Sequence, residues 1–148
     1  MTLIFSHDAA LTHVTPPGHP ERVARIEALL PALRDLDGLD WREALIGARE
    51  DVLRCHPDHY IARIEAAIPA QSYASLDADT HVSPGSLDAA MRAVGGSTSA
   101  IDAVIAGEAK SAFVAMRPPG HHAETETAMG FCLFGTAAIG AKYALKRH

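Results

Sequence analysis

The sequence predicts an α/β domain: a partial, open parallel sheet that is flanked by helices. Short apolar segments of strand length alternate along the chain with segments whose apolar residues recur at helical spacing. The run Ala112–Met116 is apolar throughout, as is typical of a parallel strand that is buried on both faces. With 148 residues, of which 48% are hydrophobic, the chain is long enough to bury the core of one domain.

The first half of the chain begins with a short buried strand at Leu3–Phe5 and an ordered loop at His7–Pro20. Apolar residues at helical spacing then predict a helix over Glu21–Leu30. Pro31 should end this helix or lie just beyond it, because proline cannot donate a backbone hydrogen bond. The other elements predicted in this half are a strand at Trp41–Ile46, a helical turn at Glu50–Leu53 and a helix at Pro57–Ile68.

The second half is predicted to contain two polar loops and two helices. Gln71–Gly85 is polar and is interpreted as a loop, and Ser86–Ile105 is the longest helical segment. The Gly95-Gly96 pair inside that helix indicates either a close approach of a neighbouring backbone or a weakened helix. The loop Arg117–Gly130, rich in Pro, Gly and His, precedes a final helix at Leu133–Leu145.

Composition excludes several classes of function. The formal net charge of −5 argues against nonspecific nucleic-acid binding, which needs clustered Lys and Arg. No stretch approaches the roughly 20 apolar residues of a membrane span. We expect no signal peptide, because the first residues lack a basic segment and a long apolar run. Cys55 and Cys132 are too few for a disulfide framework, so we expect a cytoplasmic protein.

One loop combines residues that are suited to proton transfer. Residues 116–123, MRPPGHHA, follow the predicted strand Ala112–Met116, and ligands of open α/β sheets bind at the carboxyl ends of strands. The prolines restrict the backbone, and His121 and His122 could hold one proton donor and one acceptor beside a substrate. From the dipeptide alone, the alternative is that the two histidines merely make the loop polar.

This loop resembles the signature of the histone deacetylase family of zinc amidohydrolases, in which RPPGHHA is followed shortly by GFC. The same letters stand here at 117–123 and 130–132. Other segments that are similar to the family in order and spacing are His19-Pro20-Glu21 with Arg25, Cys55–Ile61, Asp79-Thr80, Pro84–Ser86, Ala90 and Gly95-Gly96. The resemblance covers nearly the whole chain and implies the first part of the arginase–deacetylase fold.

The resemblance also implies roles for the matching residues. His122 is similar to the family's general base, and His121 to the neighbour that hydrogen-bonds the tetrahedral intermediate or assists the proton transfer. Gly130 and Phe131 resemble positions that line the tunnel for the acyl-lysine chain, where an aromatic face packs on methylene groups. The alternative for these two is ordinary packing in a loop and core.

Two charged residues match family positions farther from the histidines. Asp79 is similar to a rim aspartate that accepts hydrogen bonds from the substrate backbone or amine, and Arg25 to an arginine beside an internal cavity. For both, simple exposure to solvent is an equal alternative on the sequence alone. His7, His13 and His19 could be interpreted as a metal cluster, but their irregular spacing favours roles in packing the first loop.

In the family, one Zn²⁺ is held by two Asp and one His, and these ligands follow the helix that corresponds to Leu133–Leu145. No equivalent set occurs before His148. The expectation is therefore that residues 1–148 form the N-terminal portion of a single deacetylase-like domain, truncated before its metal-ligand segment. They would contain no metal ligand and would be inactive alone.

The resemblance thus implies a parent protein that carries out zinc-dependent hydrolysis of N-acetyl amides on acetyl-lysine or an acetylpolyamine. The alternative is a non-catalytic scaffold or interaction module that retains the first half of the fold. A third hypothesis is a metal-independent hydrolase with Cys132 as its nucleophile. The favoured alternative is that Cys132 is a buried structural thiol. An unpaired sheet edge after the last helix would favour a homo-oligomer.

Overall fold

The computed structural model describes residues 1–148, in which strands and helices alternate. The strands are β1 (Thr2–Ser6), β2 (Leu39–Glu43), β3 (Ala74–Ser75), β4 (His81–Val82) and β5 (Ser111–Ala115). The helices are α1 (Val23–Arg34), α2 (Arg49–Val52), α3 (Asp58–Ala67), α4 (Ser86–Ile105) and α5 (Thr136–Arg147), and a 3₁₀ turn covers Asp8–Leu11. None of these helices combines the length and the apolar character that a membrane crossing requires.

Three parallel strands form the main sheet in the order β2-β1-β5. In the central strand β1, Ile4 pairs with Trp41 of β2 on one side and with Phe113 of β5 on the other. Leu3, Ile4 and Phe5 are all buried, because successive side chains point to opposite faces and both faces are covered. The predicted parallel sheet flanked by helices is therefore confirmed.

Helices pack on both faces of the sheet. Leu3 and Phe5 pack against Ala100 of α4 on one face, and Ile4 packs against Ile26 of α1 on the other. A larger cluster joins α3, α4 and α5 beyond the sheet. Each aliphatic side chain that is fully buried stabilises the fold by roughly 1.5–3 kcal/mol. The buried members of this larger cluster are Val52, Tyr60, Ile61, Ile64, Val82, Ala90, Val94, Leu133, Phe134 and Ile139.

Helix α1 continues past Pro31 and ends at Arg34, so the prediction that the helix ends at Pro31 is wrong. Pro31 cannot donate to the carbonyl of Glu27, but both residues are exposed, and water can bind the free carbonyl. Leu33 packs against the sheet cluster, which favours the last helical turn. The helix also begins later than predicted, at Val23.

The structure differs from the predicted elements in other places as well. Strand β2 ends at Glu43 rather than extending over Trp41–Ile46, because the chain then leaves the sheet to cross α4. The polar segment Gln71–Gly85 contains the short antiparallel hairpin β3–β4. Helix α5 begins at Thr136, since Leu133 is buried in the helical cluster before the helix starts.

A tight backbone crossing explains the glycine pair in α4. The N–H of Gly47 donates to the carbonyl of Met91 at 2.9 Å. A Cβ atom on Gly95 would lie 2.1 Å from the carbonyl oxygen of Leu45, so no larger residue fits there without displacing the crossing segment. The predicted close approach is confirmed, and α4 is continuous over its 20 residues.

A buried ion pair between Glu21 and Arg117 joins the first loop to the end of β5. Arg117 donates from Nε to Oε1 of Glu21 at 2.6 Å and from Nη2 to Oε2 at 2.7 Å. Its Nη1 donates to the carbonyls of Ala10 at 2.8 Å and His13 at 2.9 Å. Both charged side chains are at most 3% exposed, so these bonds offset the cost of removing the charges from water.

The network also controls the ionisation of Glu21. Burial alone would raise the pKa of Glu21, but hydrogen bonds from His13 and Arg117, together with their charges, lower it from 4.5 to about 2. A carboxylate with a lowered pKa binds fewer protons in the folded state than in the unfolded state. Glu21 therefore stabilises the fold above its unfolded pKa, and this contribution is lost as the pH falls toward 2.

Strand β5 is an edge of the sheet, and its outer side has no partner strand. Phe113, in the middle of β5, is 45% exposed beside the buried Ile4. Free backbone N–H and C=O groups next to an exposed aromatic ring favour pairing with another strand. This edge is therefore the surface at which we expect the isolated chain to self-associate.

Glu21→Gln should lower the free energy of unfolding by about 3–5 kcal/mol at neutral pH, because it leaves the buried Arg117 charge without its partner. Urea denaturation followed by circular dichroism measures this loss. Glu65→Gln is the matched control: Glu65 pairs with Arg49 but its side chain is 41% exposed. Loss of that exposed pair should cost less than about 1 kcal/mol. Equal losses in the two variants would contradict the assigned role of the buried pair.

The same pair predicts a pH dependence. As the pH falls from 4.5 toward 2, the free energy of unfolding of the wild-type chain should fall by about 3 kcal/mol more than that of Glu21→Gln. This value follows from the lowered pKa of Glu21, since each pKa unit corresponds to about 1.4 kcal/mol. Denaturation curves at a series of pH values measure the difference. Parallel pH profiles for the two proteins would show that Glu21 does not titrate as described.

Phe113→Lys should weaken self-association of the isolated chain, because a charge on an edge strand opposes strand pairing. Sedimentation velocity over a range of concentrations measures the effect. Leu36→Lys is the control, since Leu36 is 58% exposed but lies just beyond α1 rather than on β5. A wild-type chain that stays monomeric at every concentration would refute this expectation.

Candidate functional site

The first loop, the β3–β4 turn and the loop after β5 border one cleft with a volume of about 850 Å³. It lies beside the carboxyl end of β5, where α/β sheets bind ligands. The cleft brings together every residue to which the sequence analysis gave a site role, although they come from distant parts of the chain. These residues are Arg25, Asp79, His121, His122, Gly130 and Phe131.

The tandem histidines are held through their backbone. The N–H groups of His121 and His122 each donate to Sγ of Cys132 at 3.4 Å. The preceding Gly120 accepts a hydrogen bond from Ala137 in the first turn of α5. The two imidazole centroids are 4.2 Å apart, and no protein group hydrogen-bonds a ring nitrogen of either histidine. Both rings are exposed toward the cleft and can therefore exchange protons with a bound molecule.

Gly130 and Phe131 both adopt left-handed backbone conformations, with φ of +56° and +70°. A Cβ on Gly130 would lie 2.6 Å from Cβ of His122, so glycine allows the imidazole to pack against this backbone. Phe131 has a side chain, and its left-handed conformation costs about 1–3 kcal/mol that neighbouring contacts must offset. Its N–H donates to Oγ1 of Thr80 at 3.2 Å, and its ring meets the ring of His19 edge-on at 4.9 Å.

The second wall of the cleft is an acidic turn between β3 and β4. Oδ1 of Asp77 accepts hydrogen bonds from the N–H groups of Asp79 at 2.9 Å and Thr80 at 2.7 Å. Partial burial would raise the pKa of Asp77, but these hydrogen bonds lower it. The turn leaves Asp79 exposed at the cleft, where its carboxylate can accept hydrogen bonds from a ligand.

Arg25 borders the cleft beside the buried ion pair. Its side chain is 58% exposed, and its Nη1 donates to Oε1 of Glu21 at 3.2 Å. The cleft wall near Arg25 therefore carries a positive charge that is partly neutralised by Glu21. The predicted place of Arg25 beside an internal cavity stays a prediction, as do the roles of the other site residues.

Several residues that shape the site were not predicted to take part in it. Thr80 and His19 contact Phe131, and Glu21 and Arg117 fix the base of the histidine loop. All four residues lie within segments that match the family, and this is the only sign of their importance in the sequence. A matching segment does not show what each side chain contacts. Cys132, for which two roles were open, is fully buried below the histidines, and its thiol cannot reach a ligand in the cleft. Its interpretation as a structural thiol is favoured over that of a nucleophile.

The three histidines of the first loop each have a different hydrogen-bonding partner, which agrees with the packing roles favoured for them. His7 caps the 3₁₀ turn by accepting from the N–H of Ala9. His13 is buried and bonds to Oγ of Ser86 at 2.6 Å, whereas His19 donates to the carbonyl of Asp79 at 2.8 Å. No group of three or more His, Cys, Asp or Glu side chains is placed to hold a metal ion. The residues present do not by themselves form a zinc site.

Known proteins with similar sequences are about twice as long as this chain or longer. This chain is 42% identical over 153 aligned residues to the protein slr0245 of Synechocystis, and the alignment covers 99% of this chain and 49% of that protein. It is 40% identical over 141 residues to a histone deacetylase-like amidohydrolase of Pseudomonas aeruginosa, covering 91% of this chain and 37% of the relative. The chain therefore spans less than half the length of these relatives.

The structure is also similar to a solved one. It superposes on the crystal structure of the HDA15 HD domain with a TM-score of 0.90 at 26% sequence identity, covering 98% of this chain and 44% of that chain. The family described as histone deacetylase domain matches residues 19–148, which include the whole cleft. The chain belongs to the histone deacetylase family.

Proposed function

We propose that the protein containing residues 1–148 is a zinc-dependent deacetylase that hydrolyses N-acetyl amides of lysine-like or polyamine side chains. The observation that carries the proposal is the single cleft that joins His121 and His122 to Asp79 and Phe131. Membership of the histone deacetylase family and a relative described as an amidohydrolase support this reaction class.

The two imidazoles supply the proton transfers of this reaction. His122 accepts a proton from the attacking water, and His121 hydrogen-bonds the oxygen on which charge develops or helps to pass the proton to the leaving amine. Their ring nitrogens make no hydrogen bond to protein, and their rings lie in the cleft. The backbone bonds to Cys132 fix the loop, so the side chains need little reorganisation to meet a substrate.

The walls of the cleft suit an extended aliphatic amide. Phe131 offers a ring face or edge to methylene groups, and Gly130 leaves room beside His122. Asp79 can accept hydrogen bonds from an amine or a peptide N–H at the other wall. These features favour an acetylated lysine side chain or polyamine over a compact or anionic substrate.

Zinc would polarise the amide carbonyl and activate the attacking water. Residues 1–148 contain no group that could hold it, so its ligands would have to come from outside this segment. The relatives have that additional length, since the chain covers 49% and 37% of two of them. The only observation that favours the alternative of a scaffold module is the lack of a metal-binding group in residues 1–148. An activity assay of the full-length protein distinguishes the enzyme from the scaffold.

In the full-length protein, His122→Asn should lower kcat/KM for an acetyl-lysine or acetylputrescine substrate by about 10²–10⁴, the usual contribution of a general acid or base. Release of acetate in the presence of Zn²⁺ measures the rate. His59→Asn is the control at an exposed histidine. The His59 side chain is 67% exposed, lies on α3 and contacts Glu126 outside the cleft, so this variant should keep wild-type activity.

The isolated chain 1–148 should show no activity in the same assay, because it lacks a metal-binding group. An active His122→Asn protein would refute the role of this base. A full-length protein that binds no zinc and releases no acetate would overturn the proposed enzyme and leave the scaffold alternative.

A further inference from the structure

We propose that Thr80 is a positioning residue that fixes Asp79 and Phe131, the two substrate-contacting walls of the cleft, relative to each other. This inference rests on the proposed function and adds a residue to that site. The side chain of Thr80 is fully buried and does not line the cleft, so any effect on substrate must pass through its neighbours.

A single hydroxyl group connects the two walls. Oγ1 of Thr80 donates to Oδ1 of Asp79 at 3.1 Å and accepts from the N–H of Phe131 at 3.2 Å. A hydroxyl can do both at once, because it has one donor and two acceptor sites. Oγ1 therefore joins segments that are 51 residues apart in sequence.

Phe131 needs such a tether because its backbone is strained. Its φ of +70° is unfavourable for a residue with a side chain and persists only where surrounding contacts hold it. The hydrogen bond from its N–H to Thr80 is one such contact. Without it, the strain can relax by rotation of the peptide, which would change the position of the Phe131 side chain in the cleft lining.

Asp79 is restrained from three directions. Its N–H donates to Asp77, its carboxylate accepts from Thr80, and its carbonyl accepts from Nε2 of His19 at 2.8 Å. The ring of His19 also packs edge-on against Phe131. Thr80 and His19 thus make two parallel connections between the walls, and Thr80 is the one that orients the carboxylate itself.

Both walls would contact parts of the substrate that do not react. A positioning residue for such contacts affects the ground state and the transition state equally, so its loss raises KM and leaves kcat nearly unchanged. A residue that only stabilised the fold would instead lower the amount of active protein and leave KM unchanged. The split between KM and kcat therefore distinguishes the two roles.

The test compares Thr80→Val, Thr80→Ser and Thr98→Val. Valine keeps the shape of threonine but lacks the hydroxyl, and serine restores it. Thr98 is the matched control, because it is also buried and its hydroxyl donates to the carbonyl of Gly95 within α4, remote from the cleft residues. Amide hydrogen exchange of the chain 1–148, followed by NMR, reports the tether directly and needs no activity.

Thr80→Val should speed exchange at the Phe131 amide by about fivefold to tenfold, as expected for one lost hydrogen bond, whereas Thr80→Ser and Thr98→Val should leave it near the wild-type rate. In the full-length protein, Thr80→Val should raise KM for acetyl-lysine peptide by about the same factor with kcat nearly unchanged, and Thr80→Ser should restore KM.

Unchanged exchange at Phe131 in Thr80→Val would overturn the inference, and so would faster exchange with an unchanged KM in an active enzyme. A wild-type full-length protein without deacetylase activity would instead overturn the proposed function, and the substrate role of Thr80 with it. The exchange result would still show whether the tether exists, so the two failures are distinguishable.

Discussion

The bidentate ion pair between Glu21 and Arg117 is the interaction on which the site depends. It connects Glu21, two residues before α1, to Arg117, two residues after the end of β5, and both side chains are almost fully buried. Two such charges are stable in a core only when further hydrogen bonds satisfy them. The carbonyls of Ala10 and His13 and the imidazole of His13 complete that set.

The pair determines the geometry of both sides of the cleft. Arg117 is followed at once by the loop that carries His121 and His122, so the anchored guanidinium fixes where this loop leaves the sheet. Glu21 lies two residues after His19, whose ring contacts Phe131 and whose Nε2 holds the carbonyl of Asp79. The buried ion pair is therefore connected, through the chain and through His19, to the loop of the two imidazoles and to both walls of the cleft.

The fold class could be predicted from the sequence because it depends on local signals, whereas the grouping of the site residues was implied by the resemblance to the family. Apolar runs of strand length that alternate with helical periodicity predict the sheet, and the motif that ends in His121 and His122 directly follows such a run, which forms β5. The end of α1 was not predictable in this way. The cost of Pro31 depends on whether the freed carbonyl meets water, and this is a property of the tertiary structure.

The contacts that support the site could not be predicted from the sequence either. Thr80 and Phe131 are distant along the chain, and nothing in either segment indicates that a hydroxyl of one will accept the amide of the other. A strained residue at a site is stabilised by contacts with residues that the tertiary structure brings near it, and local sequence propensity does not predict these contacts. The sequence motif thus predicts which groups line the site, and the buried hydrogen bonds behind them explain how those groups are held in position.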